Sequence, residues 1–191
     1  MTAVDLYWLP LGAGGHVVRF NGIVYERLSA WFTHRTPVPL YHCALRITVP
    51  PNVYSIEMTP VWQHKEPDRG VVAEGPVGAH WAGRSKYFRY EVHCWRNGTV
   101  DDIEEAVESP LRLSADSAVA EQILDEIRTV PTFVWGRDAV GVGDMWNSNS
   151  VVAWVLTRCG VDLSGIEPPH GGRAPGWHAG IAAAARPSRR T

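Results

Sequence analysis

From Tyr41 to Val49 the chain alternates without a break. Cys43, Leu45, Ile47 and Val49 fall on one side, and His42, Ala44, Arg46 and Thr48 on the other. A period of two with one apolar side predicts a strand with one face in the core. Pro50-Pro51-Asn52 reads as a turn, and Val53 to Val61 alternates again, with Tyr54, Ile56 and Met58 set against Ser55, Glu57 and Thr59. A third strand is predicted over Lys86–Trp95, with Phe88, Tyr90, Val92 and Cys94 inward, ending at Asn97-Gly98. The period then changes. Val119, Ile123 and Ile127 form a helical stripe that Ser114 opens and Pro131 stops. A second helix, about residues 148–159, is apolar on most faces and is expected at the centre of the fold, with Gly160 as its C-cap.

The segments on either side are less regular. Leu6–Pro10 reads as a short edge strand, and Val17–Phe20 with Gly22–Tyr25 as a hairpin about Asn21-Gly22. Gly12-Ala13-Gly14-Gly15 lacks both the Lys-Ser/Thr of a phosphate loop and GxGxxG spacing, so a turn is expected. Beyond Pro168 the chain reads as a loop whose Trp177 must pack against something. Strands come first and helices later, which predicts an α+β fold: an antiparallel sheet packed against a central helix.

A chain of 191 residues, 45% hydrophobic, fits one domain. Its expected extent is residues 1–181, with 182–191 as a flexible basic tail. Eighteen Lys and Arg against 20 Asp and Glu give no electrostatic case for nucleic acid or an anionic membrane. The three cysteines, an odd count, sit in apolar segments and point to a reducing, cytoplasmic compartment. Met1–Asp5 shows no basic or apolar region of a signal peptide, and no apolar stretch reaches the length of a membrane span. Among the nine tryptophans, Trp62, Trp81, Trp135, Trp146 and Trp177 lie in loop-like contexts. They are expected to fill gaps between loops and core; lining a groove for a bulky substrate is the alternative.

Chemistry concentrates at Asn147-Ser148-Asn149-Ser150, just before the apolar run Val151–Leu156. Asn and Ser are favoured helix caps. The first turn of a helix also offers free N–H groups and a positive dipole end, which suit an oxyanion. A hydroxyl nucleophile there needs a base, and His42, on the polar side of its strand, is the best placed of eight histidines. A hairpin turning at Pro50-Pro51 would set position 42 opposite about 59 and position 44 opposite about 57. Glu57 would then lie diagonal to His42 on the same face, able to orient the imidazole. Metal binding finds no support: there is no HxH, HExxH or CxxC, and His42-Cys43 and His93-Cys94 point to opposite strand faces. Asp101–Glu105 reads as a solvated face, and no cysteine sits in an activating environment. No cofactor is implied.

The order of these residues resembles the circularly permuted papain-like proteins, including permuted NlpC/P60, lecithin–retinol acyltransferase-like and PPPDE families. The matches are His42 in Tyr-His-Cys-Ala-Leu, Glu57 in Ser-Ile-Glu-Met and Ser148 in Trp-Asn-Ser-Asn-Ser, over roughly residues 38–160. The resemblance implies an acyl-transfer hydrolase in which Ser148 attacks, His42 takes its proton and Glu57 orients His42. The helix-start N–H groups, with the Asn147 or Asn149 amide, would receive the oxyanion. Peptide, lipid ester and small-molecule acyl substrates are all compatible with it. The chain departs from the family by carrying serine where cysteine is usual. That serine is a native nucleophile, the mark of an inactive site, or a replacement for cysteine. The alternative to a hydrolase is a catalytically inactive papain-like binding module with a Trp-lined groove.

Overall fold

A computed structural model describes residues 1–11, 36–62, 66–100 and 102–186. The expected hairpin over 17–25, the glycine turn at 12–15 and tail residues 187–191 lie outside the described residues. The proline turn does pair its flanking strands as expected. β2 (Tyr41–Val49) and β3 (Asn52–Pro60) run antiparallel, in register from Val49 opposite Asn52 to Leu45 opposite Ile56. Around this hairpin stand β1 (Ala3–Pro10), β4 (Val71–Pro76), β5 (Arg89–Arg96) and β6 (Val107–Ser114). Together they make a six-stranded antiparallel sheet in the order β4-β5-β3-β2-β1-β6. The α-helices among the described residues are α1 (Ser117–Glu126), α2 (Ser148–Arg158) and α3 (Trp177–Ala184). The fold is α+β.

Alternation sorts the sheet into two faces. Leu6 and Trp8 of β1, Cys43, Leu45 and Ile47 of β2, Ile56 and Met58 of β3, and Tyr90 and Val92 of β5 enter one core with the helices. In α2, Val151 to Leu156 are all buried, as the continuous apolar run requires of a central helix. Trp177 opens α3 and packs on Trp8, ring centroids 5.4 Å apart. Gly180 lets α3 close onto α2: a Cβ there would overlap the Ser150 carbonyl oxygen and come within 2.8 Å of the Ala153 methyl. The opposite face carries Leu9 and Ala44 in a small cluster with Val100, and buried polar side chains including Ser55, Glu57, Thr59, Glu91 and His93.

Several expectations are corrected. β1 is not an edge strand; it lies between β2 and β6. β5 starts at Arg89, because residues 86–88 form a helical turn whose first N–H groups Ser85 caps, and Phe88 is left exposed. Ser114 closes β6 rather than opening the helix; Asp116 caps α1, accepting the Ala118 N–H at 2.8 Å. The chain after Trp177 is helical to Ala184, with Ala183 and Ala184 buried, so order extends past residue 181. Of the loop tryptophans, Trp146 and Trp177 are buried and Trp135 half-buried, while Trp62 and Trp81 stand in solvent.

Candidate functional site

β2 loses β3 as a partner beyond Leu45. In the vacated position Tyr41 finds two substitutes. Its N–H donates to the Arg173 carbonyl at 2.8 Å, and its carbonyl accepts from Asn149 Nδ2 at 3.0 Å. The start of α2 is thereby fastened to the peptide group that joins Tyr41 to His42.

The tetrapeptide divides its labour. Asn147 caps α2: its Oδ1 accepts the N–H groups of Asn149 at 3.0 Å and Ser150 at 3.3 Å. Ser150 Oγ returns the favour by accepting the Asn147 N–H at 3.0 Å, completing a capping box. The Ser150 hydroxyl donates onward to the Gly176 carbonyl at 2.8 Å. Both asparagine amides reach the Pro175 carbonyl, Asn147 at 2.7 Å and Asn149 at 2.8 Å. Gly176 closes tightly on this cap with φ +92°, where a side chain would collide with the Asn147 amide. Three of the four residues thus brace β2, α2 and the loop before α3. Ser148 is the exception. Half-buried at the first helical position, its hydroxyl has no hydrogen-bond partner among the described residues.

His42 is likewise unengaged among the described residues. The residue as a whole is half-buried, its ring lies among protein atoms, and burial lowers its pKa from 6.5 to about 4. The imidazole is therefore neutral at pH 7 and able to accept a proton. His42 pairs with Leu9 across the ladder and shares its face, opposite Cys43 and the body of α2. Neither Ser148 Oγ nor Glu57 is hydrogen-bonded to the ring. The expected triad is not assembled as a hydrogen-bonded chain.

Glu57 belongs to another group. It sits opposite His93 on β5. His93 Nε2 is 3.0 Å from Glu91 Oε2, and Arg69 holds Glu91 with two bonds, Nε at 2.7 Å and Nη2 at 2.6 Å. Burial works to raise the Glu91 pKa; the Arg69 and His93 bonds outweigh it, and the net shift is downward. The sequence reading missed this network. Its signal was the outward half of β5, where Glu91 and His93 share a face two residues apart.

The oxyanion assignment changes too. Asn147 and Asn149 spend their amides on carbonyls, and the helix-start N–H groups of Asn149 and Ser150 point at Asn147. The Ser148 N–H is the one of these first three helical N–H groups with no partner among the described residues. All three thiols are buried with raised pKa values, Cys94 and Cys159 to about 11, so none is activated. Among the described residues no group of three or more His, Cys, Asp or Glu is arranged to hold a metal ion. No helix among them is long and apolar enough to cross a membrane. A cleft of about 950 Å³ opens beside α3, lined by residues such as Leu163, Ile166, Arg173 and Ile181. Ser148, His42 and Glu57 are not among its lining residues.

The chain matches no family model, no curated protein and no solved structure.

Proposed function

We propose that the chain is an acyl-transfer hydrolase of permuted papain-like type, with Ser148 as nucleophile and His42 as its base. One observation carries the reading. The Asn149–Tyr41 bond fastens the helix start to the peptide that precedes His42, and among the described residues neither Ser148 Oγ nor the His42 ring has a hydrogen-bond partner. In this scheme a substrate carbonyl enters next to Ser148. Neutral His42 takes the hydroxyl proton as Oγ attacks, then returns it to the leaving amine, alkoxide or thiolate. Water deacylates the serine by the same route. The Ser148 N–H, at the positive end of α2, receives the oxyanion. The His42 side chain leaves β2 on the face opposite the body of α2, so the scheme requires the end of β2 or the helix start to move until the two side chains lie about 3 Å apart. Glu57 has no part in this dyad, since its neighbour is His93.

The second reading, a catalytically inactive binding module, is favoured by the capping of the Asn149 and Ser150 N–H groups, which leaves one oxyanion donor instead of two or three. A fluorophosphonate probe separates the two. Labelling of the wild type, lost in Ser148→Ala and weakened in His42→Ala, is expected of the hydrolase. No labelling of the wild type assigns the binding module. Labelling retained in Ser148→Ala moves the nucleophile elsewhere.

A further inference from the structure

Four large aromatic side chains stand in solvent at one end of the sheet: Trp81 77% exposed, Tyr87 66%, Trp62 55% and Phe88 52%. β4 and β5 are joined there by two short helical turns, His80–Arg84 and Lys86–Phe88, in which no residue is buried. Trp62 is held at the same end, since the Val61 N–H donates to the Arg89 carbonyl at 3.1 Å. The rings are therefore not core residues seen edge-on. Apolar surface of this extent, grouped rather than scattered, marks a binding face.

Cations are interleaved with the rings. Arg84 and Lys86 are exposed, and Lys86 Nζ lies 5.5 Å from the Tyr87 ring centroid. Arg137 joins them through its bond to the Gly78 carbonyl at 2.7 Å. From Pro76 to Arg89 there is no acidic residue. Of the acids near this end, Glu74 and Asp138 are committed. Glu74 pairs with Arg89, and Asp138 accepts the N–H groups of Gly141, Val142 and Gly143.

We propose that this end of the sheet docks on an anionic lipid bilayer, with the aromatic rings at headgroup depth and Arg84, Lys86 and Arg137 on the lipid phosphates. Trp and Tyr flanked by Lys and Arg is the composition of an interfacial anchor. Protein interfaces are depleted of lysine at their centres. Strand-binding proteins line an extended basic groove, whereas this chain carries net charge −2 and sets Arg84 and Lys86 in a stretch, Pro76–Arg89, that has no acid. The inference is independent of any activity at Ser148.

The test is flotation of the whole chain with vesicles of phosphatidylcholine containing about a third phosphatidylserine, beside phosphatidylcholine alone. Expected is binding to the anionic vesicles with a blue shift of tryptophan emission, and weak or no binding to the neutral ones. Trp81→Ala with Phe88→Ala should abolish it, and Arg84→Gln and Lys86→Gln should each weaken it about fivefold. These side chains are unburied, so unfolding midpoints should match wild type; if the Trp81 variant fails to fold, Trp62→Ala takes its place. Absence of binding to anionic vesicles overturns the proposal, as does binding that these variants leave unchanged. Concentration-dependent self-association abolished by Trp81→Ala overturns it in favour of a second copy as the occupant.

Discussion

Asn149→Ala tests whether the clasp at the start of α2 holds the fold, and the structure sets the size of the effect. The change removes two hydrogen bonds from Nδ2. The Pro175 carbonyl keeps the Asn147 amide at 2.7 Å, so only the Tyr41 carbonyl is orphaned. An orphaned buried carbonyl costs about 1–3 kcal/mol, and the shared bond to Pro175 adds roughly 0.5–1. Part of this is offset, because Asn149 Oδ1 is buried without a partner and leaves with the side chain. The net loss is about 2 kcal/mol, or a fall in Tm of roughly 4–8 °C for a domain of this size. Ser148→Ala, which removes a hydroxyl with no partner among the described residues, should stay within about 0.5 kcal/mol. Urea unfolding followed by tryptophan fluorescence gives both values as midpoint shifts at constant slope. If Ser148→Ala costs as much as Asn149→Ala, or Asn149→Ala costs under about 0.5 kcal/mol, the division of the tetrapeptide into braces and one idle hydroxyl is wrong.

Three further outcomes are expected. His42 holds a folded pKa of about 4 against 6.5 when unfolded, so the unfolded chain binds more protons between those values. Stability from this group is full above about pH 6.5 and lost as pH falls toward 4, on the order of 3 kcal/mol; denaturation of wild type and His42→Asn at several pH values should show the variant's curve flatter in that window, and identical curves would remove the buried-imidazole account. Arg69→Met strips Glu91 of its bidentate partner and should cost about 3 kcal/mol at neutral pH. Because the Glu91 pKa is depressed, that loss should shrink as pH drops below the ordinary glutamate value of 4.5, and a loss independent of pH in thermal melts would count against the pair. Gly180→Ala inserts a methyl against the Ser150 carbonyl and should cost about 1–3 kcal/mol by calorimetry; a neutral result would mean that α3 stands off α2.

The elements easiest to read were those with one buried face. Tyr41–Val49 came out with its bounds intact because nothing but alternation governs it, and α2 because six apolar residues in a row leave no amphipathic choice. β4 and β6 escaped notice: Gly75 and Pro76 end one, and Pro110 with exposed Glu108 and Leu111 breaks the pattern of the other. Both are held mainly by ladder bonds to a neighbour that local sequence does not reveal. The alanine-rich α3 was hidden by the glycines and prolines before it. At the site, the hairpin register was legible as far as the strands pair, from Val49 opposite Asn52 to Leu45 opposite Ile56. What local pattern concealed was the end of the β2–β3 pairing at Leu45, the nearness of His93 to Glu57, and the use of both asparagine amides on carbonyls about 26 to 108 residues away in sequence. The near-neutral total charge likewise masked the acid-free stretch Pro76–Arg89, which carries Arg84, Lys86 and Arg89.

The strand order has a consequence for synthesis of the chain. β1, the earliest of the six strands in chain order, pairs with β2 and with β6, so the sheet is complete once Ser114 has emerged. Its main apolar cover, α2 and α3, ends at Ala184. At 5–20 residues per second the ribosome needs roughly 4–14 seconds to cross that interval. During it the nascent chain carries a finished sheet with one greasy face only partly shielded by α1. Chains released before residue 148 should therefore be chaperone clients or aggregate, whereas the mature chain conceals the same surface beneath a helix whose first turn is locked to β2.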